Sequence, residues 1–426
     1  MKLIKKLLKE GLLSYKNKFD KIGEILNESF NETNLIKNED FIIESTKLLI
    51  SNEDDKFLYY LYESAGMFDD LLNICVLTFS VENTKLGGDV VTFSLPAGWT
   101  CPFAKKCLKK VERERSINPE KVGTTKISKR TGAEVEYKGD VVVKKGKEAE
   151  YDCFAANQEM QYDAVRANRW HNFDLLEEAG NSDAQAELII KSLNYFFDTN
   201  GKKNQVRIHE SGDFYNNEYL SAWIKVAKTM PKIEFYAYTK SIPYVKAMEQ
   251  KLKDVPNFSI TLSSGGRKDA EIEDLDIKQA KVFNTPEEVL EAGLIVDLDD
   301  TLAKEKGGKE KNFALLVHGT QGEGVMSQNK RRNETFMNYW KYKDDIDRYV
   351  FKGIDRGDNQ NEYDVAKEAY KELDNILKSK KVSGSRRELL SFLKTQTNYV
   401  MKYITYDFDE ELINILPKKY KPKLTK

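Results

Sequence analysis

Cysteine, histidine and proline are all scarce in this 426-residue chain, at four, three and nine residues. Four cysteines make no disulfide framework, and unpaired thiols suit a reducing compartment, so a soluble cytoplasmic protein is expected. No apolar run approaches the ~20 residues that a bilayer-crossing helix needs, so no membrane partner is expected. The N-terminus, Met1-Lys-Leu-Ile-Lys-Lys-Leu-Leu-Lys-Glu-Gly-Leu-Leu13, lacks the apolar core and small-residue cleavage site of a signal peptide and reads as an amphipathic helix. Charge of one sign is also missing. Lys and Arg total 68 against 69 Asp and Glu, which gives no overall electrostatic case for nucleic acid or membrane and leaves such a partner to a local patch. There is no internal repeat. Apolar residues at 40% and aromatics at 11% exclude global disorder and supply a large core.

Three regions follow from the patterning. Residues 1–85 carry helical periodicity, as in Phe41-Ile-Ile-Glu-Ser-Thr-Lys-Leu-Leu-Ile50 and Phe57-Leu-Tyr-Tyr-Leu-Tyr62, and show no chemistry. Cys75, flanked by apolar residues, reads as a core thiol. Residues 86–330 alternate apolar strands with amphipathic helices, the pattern of βα units and a parallel sheet. Strands are expected at Val90–Leu95, Gln205–His209, Lys232–Tyr238, Asn257–Leu262, Leu294–Leu298 and Asn312–Val317. Helices are expected at Ala184–Phe197, Asn217–Thr229, Tyr244–Lys253 and Pro286–Ala292, punctuated by Pro231, Pro243, Pro256 and Pro286. Six such strands suit a partial (β/α)6 TIM-like barrel. Within that region, residues 122–148 read as an inserted charged hairpin turning at Lys138-Gly139. Residues 331–426 are helical again, and end in the lysine-rich Pro417-Lys-Lys-Tyr-Lys-Pro-Lys-Leu-Thr-Lys426, a solvated terminus or a phosphate contact.

The remaining three cysteines form one constellation, Cys101-Pro-Phe-Ala-Lys-Lys-Cys107 and then Cys153, directly after the first strand. Thiolates are the soft ligands of iron–sulfur clusters, and three of them leave one iron of a four-iron (4Fe-4S) cluster open to a substrate or cofactor. A Cys-x5-Cys spacing is unlike the tight pairs of most zinc sites, although zinc and three plain thiols remain open readings. A hairpin returns to its starting point, which would place Cys153 beside Cys107.

Strand ends in parallel α/β folds converge on one face, and here they are polar and glycine-rich. Glu210-Ser211-Gly212-Asp213 follows the second strand, Lys240 the third, and Ser263-Ser-Gly-Gly-Arg267 the fourth. Glu210 and Asp213 can accept hydrogen bonds from an ammonium or ribose hydroxyls, as an aminoacyl nucleoside would offer, while Gly212 admits close backbone approach. The same run also reads as a turn capped by Asp213 or Asn216. Lys240 and Arg267 could hold a carboxylate or phosphate, or stand as ordinary exposed cations. His171, His209 and His318 all lie in this region, as candidate proton carriers or packing residues.

The runs Ser94-Leu-Pro-Ala-Gly-Trp-Thr-Cys-Pro-Phe-Ala-Lys-Lys-Cys107, Cys153-Phe-Ala-Ala-Asn-Gln-Glu159, Val206-Arg-Ile-His-Glu-Ser-Gly-Asp-Phe214 and Phe235-Tyr-Ala-Tyr-Thr-Lys240 resemble the phage gene product eighty-eight family over roughly residues 88–325. More distantly, the cysteines after strand one and the Ser-Gly-Asp after strand two look like the cluster loop and cofactor loop of radical S-adenosylmethionine enzymes. That likeness implies Cys101, Cys107 and Cys153 as cluster ligands, and Ser211-Gly212-Asp213 facing the methionine amine of S-adenosylmethionine. A phage setting would mean host cytoplasm, with nucleotide or nucleic acid as reasonable substrates; the residues do not identify one. Leu294-Ile-Val-Asp297-Leu-Asp299-Asp-Thr301 looks instead like the first motif of haloacid-dehalogenase-type phosphatases, with Asp297 as nucleophile, Asp299 as acid/base and magnesium between them. Only one clear strand follows it, fewer than that fold needs. A non-catalytic interaction protein with a structural cluster or zinc is the other alternative.

Overall fold

The computed structural model describes residues 76–81, 86, 89–127, 132, 134–318, 325–346, 362–379, 384–406 and 408–421. The expected N-terminal helices, Cys75 and the last five residues of the lysine-rich tail lie outside them. Two compact units divide the chain, Met1–Phe79 with Asn168–Lys202, and Ser80–Ala167 with Lys203–Lys426.

In the first unit, the segment from Val76 is fastened to helices by side chains that replace missing ladder partners. Asn172 Oδ1 accepts the Thr78 N–H at 2.7 Å, Ser192 Oγ accepts the Leu77 N–H at 2.9 Å, and His171 Nε2 meets the Val76 carbonyl at 2.9 Å. His171 is thus a structural histidine.

The strands, which from β2 onward lie in the second unit, are β1 (Phe79–Ser80), β2 (Val90–Ser94), β3 (Lys109–Val111), β4 (Thr125–Ile127), β5 (Glu134–Glu136), β6 (Val143–Lys145), β7 (Gln205–Ser211), β8 (Glu234–Thr239), β9 (Phe258–Ser263), β10 (Gln279–Phe283) and β11 (Phe313–Leu316). One sheet takes the order β1-β2-β7-β8-β9-β10-β11, and every pair from β2 to β11 is parallel. From β2 onward each new strand therefore joins on the same side as the last, with no reversal. The protein is mixed α/β with a mostly parallel central sheet, whose strands read as apolar runs because both faces are covered.

In sequence, helices α1 (Phe154–Gln161), α2 (Asp163–Ala179), α3 (Ser182–Asn200), α4 (Asn217–Thr229), α5 (Ile242–Lys253) and α6 (Pro286–Glu291) come between the strands, with α3 and α2 from Asn168 onward belonging to the first unit. Asn216 caps α4 by accepting the Tyr219 N–H at 2.8 Å. Trp223 of α4 packs on Phe93 and Phe235, and Phe235 on Phe258, so one sheet face is aromatic.

The fifth strand differs from the expectation. Gln279–Phe283 supplies it, whereas Leu294–Leu298 makes only one parallel bridge, Val296 to Ala314. The run ends as a strand because the Asp297 carboxylate accepts the Asp299 and Ala303 N–H groups and bends the chain into α7 (Thr301–Lys304). That bent segment lies on the second sheet face, where Ala303 and Leu302 meet Val90, Tyr236, Ala280 and Phe313. A buried ion pair fixes it: Arg207 Nη1 meets Asp300 Oδ2 at 2.8 Å, with side chains 12% and 0% exposed. Tyr236 and Tyr238 donate to Asp300 at 3.3 Å each, and Lys278 Nζ donates to the carbonyls of Leu302, Ala303 and Glu305.

The inserted segment pairs otherwise than expected. β4 pairs antiparallel with β5, while β6 pairs antiparallel with β3 and not across Lys138-Gly139. The excursion is thus a ribbon rooted beside Cys107. After β11, α8 (Val325–Lys341), α9 (Lys343–Ile346), α10 (Glu362–Lys378) and α11 (Gly384–Tyr406) follow; Phe336, Trp340 and Val400 close a core with Val296 and Leu316.

Replacing Asp300 by Asn leaves Arg207 buried without its counter-charge, so Asp300→Asn is expected to cost about 3–5 kcal/mol. A Arg207→Met, Asp300→Leu double variant is expected to cost less; urea unfolding midpoints of both check this.

Candidate thiol site at the carboxyl end of the sheet

The cysteine loop leaves β2 at Leu95 and passes beneath β3. Gly98, at φ +73°, makes this crossing possible, because a Cβ there would lie 2.3 Å from the Lys109 carbonyl oxygen. The Gly98 N–H then donates to Cys101 Sγ at 3.3 Å, and Thr100 Oγ1 closes the turn onto the Pro96 carbonyl at 2.9 Å. Farther on, the loop pairs with the loop after β9. Ala104 bridges Gly266, Lys106 N–H donates to the Gly265 carbonyl at 2.9 Å, and Arg267 N–H to that of Phe103 at 2.8 Å. Since β7 and β8 lie between β2 and β9 in the sheet, the cysteine loop spans their ends.

The β3–β6 ribbon returns the chain to the same place. Gly146 N–H donates to the Leu108 carbonyl and Glu150 N–H to that of Lys106, both at 2.8 Å, and Cys153 then sits at the N-cap of α1. All three thiols act on one another's surroundings. Burial pushes the Cys101 thiol well up, and Asp213, Cys153 and Cys107 add to it. Tyr151 is pushed up to about 12 by burial, against Lys240 and with Cys107 and Cys153. Burial alone would lower the Lys240 ammonium, but Cys107, Tyr151, Asp213 and Cys101 outweigh it and raise it. Lys240 Nζ also donates to Ser263 Oγ at 2.6 Å, so the sequence-expected Lys240 and Ser263 meet the thiols at one place.

The loop after β7 is more tightly engaged than expected. Asp213 Oδ1 accepts from Thr239 Oγ1 at 2.5 Å and from its neighbour Phe214 at 2.7 Å, and Oδ2 from the Lys240 N–H at 2.8 Å. Burial pushes Asp213 up to about 6 in spite of these donors. Gly212, at φ +89°, faces the cysteine loop: a Cβ would lie 2.7 Å from Leu95 Cβ and from Thr100 Oγ1. Ser211 Oγ is buried and has no hydrogen-bond partner among the described residues, and Glu210 Oε2 accepts from Thr92 Oγ1 at 3.3 Å.

The histidines and Arg267 serve packing. His209 adopts φ +70° at a register shift of the β2–β7 pair, its Nε2 lies 3.1 Å from Tyr219 Oη, and burial followed by Arg207 pushes it down to about 3. His318 Nδ1 lies 2.7 Å from the Leu316 carbonyl. Arg267 Nε donates to the Ala104 carbonyl at 3.2 Å and so fastens the cysteine loop. Sequence reasoning missed Tyr151 and Glu159. Glu159 is buried and accepts the Ala97 N–H at 2.8 Å; a carboxylate inside Phe154-Ala-Ala-Asn-Gln-Glu-Met was its signal.

Among the described residues no three or more His, Cys, Asp or Glu side chains are arranged around a single metal ion. A zinc ion needs its ligands about one centre. In a cubane each cysteine binds a different iron, so its sulfurs stand wider apart than ligands about a single ion.

Asp297 and Asp299 do not share a pocket. Asp297 is 1% exposed, with oxygens taken by Tyr238 Oη at 3.4 Å and the Asp299 and Ala303 N–H groups. Asp299 Oδ2 instead accepts from Lys419 at 2.6 Å and Tyr420 at 2.8 Å. A phosphoryl group has no approach to Asp297, which argues against the phosphatase reading.

The sequence pattern described as "Gene product 88" matches residues 76–338, and those residues carry both the parallel sheet and the thiol loop. The chain belongs to the gene product 88 family. Among its relatives are the "Gene 88 protein" of Mycobacterium phage D29 and that of Mycobacterium phage L5, each 32% identical over 90 residues. That stretch is 21% of this chain, and the chain spans 38% of each relative's length. No solved structure matches it. Among the described residues no helix is long and apolar enough to cross a membrane.

Two outcomes follow for the metal-free protein. Cys101 is expected to alkylate with iodoacetamide more slowly than free cysteine at pH 8, because burial disfavours its thiolate, and peptide mapping reads the rate. Gly212→Ala is expected to cost about 1–3 kcal/mol through overpacking against Leu95 and Thr100, seen as a lowered urea midpoint.

Proposed function

We propose that this gene product 88 protein is a phage iron–sulfur protein of radical-enzyme type, built as a partial (β/α)6 barrel with the cluster at its carboxyl-end mouth. The single observation that carries the reading is the backbone pairing of Glu150 and Tyr151 with Lys106, and of Lys106 with Gly265, which returns the segment before Cys153 to the loop that holds Cys101 and Cys107, at the carboxyl end of the sheet. The barrel part rests on strictly sequential strand order, since a doubly wound sheet would reverse direction at a switch point.

Cys101, Cys107 and Cys153 would hold a 4Fe-4S cluster, which supplies low-potential electrons and an iron open to a further ligand such as S-adenosylmethionine. Lys240 would stand as a cation beside a cluster held there. The Gly98 N–H, aimed at Cys101 Sγ, favours the thiolate at that position. Ser211 Oγ, buried and unpartnered, offers a hydrogen bond to whatever enters, and Glu210 stands beside it in the chain. Thiols of this kind persist in reducing cytoplasm, where the protein would work.

A second reading has its own observation. Both oxygens of Asp213 are engaged by the protein, and Gly212 is packed on the cysteine loop, so the β7 loop as it stands locks the thiol loop in place. A structural cluster in an interaction protein would need no more.

Anaerobic purification with iron and sulfide analysis tests the site. About four irons per chain are expected, lost in a Cys101→Ala, Cys107→Ala, Cys153→Ala variant. No iron after reconstitution, or iron retained in the variant, would sink the proposal. Cleavage of S-adenosylmethionine by the reduced protein separates the enzyme from the binding role.

A further inference from the structure

A parallel sheet covered on both faces is ordinarily apolar on both. Here only one face is. Residues paired across parallel strands share a face, and the pairs Thr92–Arg207, Arg207–Tyr236, Tyr236–Ser259 and Tyr238–Thr261 set polar rows opposite the aromatic layer of Trp223, Phe93 and Phe235. A strained residue of β7 adds to them. Ser94 pairs with Ser211 where simple alternation would bring His209, so His209, at φ +70°, leaves for the aromatic layer against Phe214 and Tyr219. Glu210 is thereby turned to Thr92 on the polar face. Non-glycine residues in this conformation cluster where a fold re-aims a functional side chain.

The polar face has a floor and a roof. Ser259 Oγ donates to the Ala303 carbonyl at 2.9 Å, and Tyr236 and Tyr238 donate to Asp300, so the Asp297–Glu305 segment covers its lower rows. At the carboxyl end Lys240 Nζ donates to Ser263 Oγ, two residues before Gly265, whose carbonyl holds the thiol loop. The Phe154 and His318 rings, stacked with centroids 6.2 Å apart, bring the chain just after β11 to the start of α1. Between floor and roof Glu210, Tyr238 and Lys240 stay partly exposed. Thr261 Oγ1 and Arg207 Nε, on the same face, are buried with no hydrogen-bond partner among the described residues. Groups out of water are seldom left unmet, and a ligand is one way to complete them. The Lys240 ammonium has its bond to Ser263 and no ion pair among the described residues.

We infer that this chamber binds a small hydroxylated anion of the sugar-phosphate class, its phosphate at Lys240 and Ser263 and its hydroxyls at Glu210, Thr261 and Arg207 Nε. A hydroxyl donates to Glu210 and accepts from the Arg207 N–H, whereas an ammonium does only the first. A hydrocarbon would leave all of these groups unpaired. Strands β7 and β9 stand two strand spacings apart, about 10 Å, a span that a pentose phosphate covers. Nothing in this site requires a cluster at the thiols.

Calorimetric titration of the metal-free full chain with ribose 5-phosphate, ribose and inorganic phosphate tests this, and because no iron is involved the result is independent of the iron and sulfide analysis. Saturable binding of ribose 5-phosphate is expected, about tenfold or more tighter than that of either part. Thr261→Val removes the unmet hydroxyl at nearly constant shape, so the variant is expected to melt at or above the temperature of the parent while its affinity falls about tenfold, and Thr261→Ser should bind as the parent does. Lys240→Gln is expected to abolish the advantage of ribose 5-phosphate over ribose, and Lys251→Gln, on an exposed helix face, to change nothing. Absence of binding by the folded parent would overturn the inference. So would unchanged affinity in both folded Thr261→Val and folded Lys240→Gln. Phosphate binding as tightly as ribose 5-phosphate would leave an anion site only, and likewise overturn the sugar assignment.

Discussion

The pairing of the cysteine loop with the loop after β9 is the constraint from which the rest of the site follows. Three backbone contacts, at Ala104, Lys106 and Arg267, hold a loop from one strand against a loop three strands away in the sheet. Such contacts depend on little except backbone geometry, and glycines at 265 and 266 let the two chains approach. With the loop held there, Cys101 and Cys107 stand over the ends of β7 and β8, where Asp213 and Lys240 emerge. Gly98 and Gly212 serve the same purpose from the other side, each occupying a place where a Cβ would strike the neighbouring chain.

Burial then sets the chemistry. In a dry site the charged forms of Cys101 and Asp213 are disfavoured, and the cation of Lys240 is kept by the acids and thiols around it. The second face of the sheet shows the contrasting solution. There Arg207 and Asp300 neutralise each other out of water, and the Asp297–Glu305 segment becomes a plug on the sheet face. Its Asp-x-Asp-x-Thr spelling reflects turn formation: Asp297 collects backbone N–H groups and Asp299 anchors Lys419 and Tyr420.

The insertion between the second and third cysteines has a physical consequence. Its β3–β6 ribbon closes a long loop, so that the Cys153 segment returns to that of Cys107 despite the sequence distance between them. A segment that a motif comparison treats as spacing is thus also a folded body.

The sequence by itself determined the local elements. Apolar runs such as Val90-Val-Thr-Phe-Ser94 and Phe258-Ser-Ile-Thr-Leu-Ser263 read as strands because a strand buried on both faces has no room for polar alternation, and Asn217–Thr229 was legible to its ends from its cap and periodicity. The three cysteines, Lys240 and Ser263 stand out in the sequence as candidate site residues because they are chemically distinctive groups at strand ends. Only the tertiary structure decided between Gln279–Phe283 and Leu294–Leu298 as the fifth strand, since a strand exists only where a neighbour accepts its hydrogen bonds, and Asp297 turns the second run away after one bridge. It alone showed that Asp213 is bound by Thr239 and Lys240, and that Glu159 accepts the Ala97 N–H from a distant segment. Those assignments depend on which side chains meet across distant segments, and no local spacing encodes such meetings.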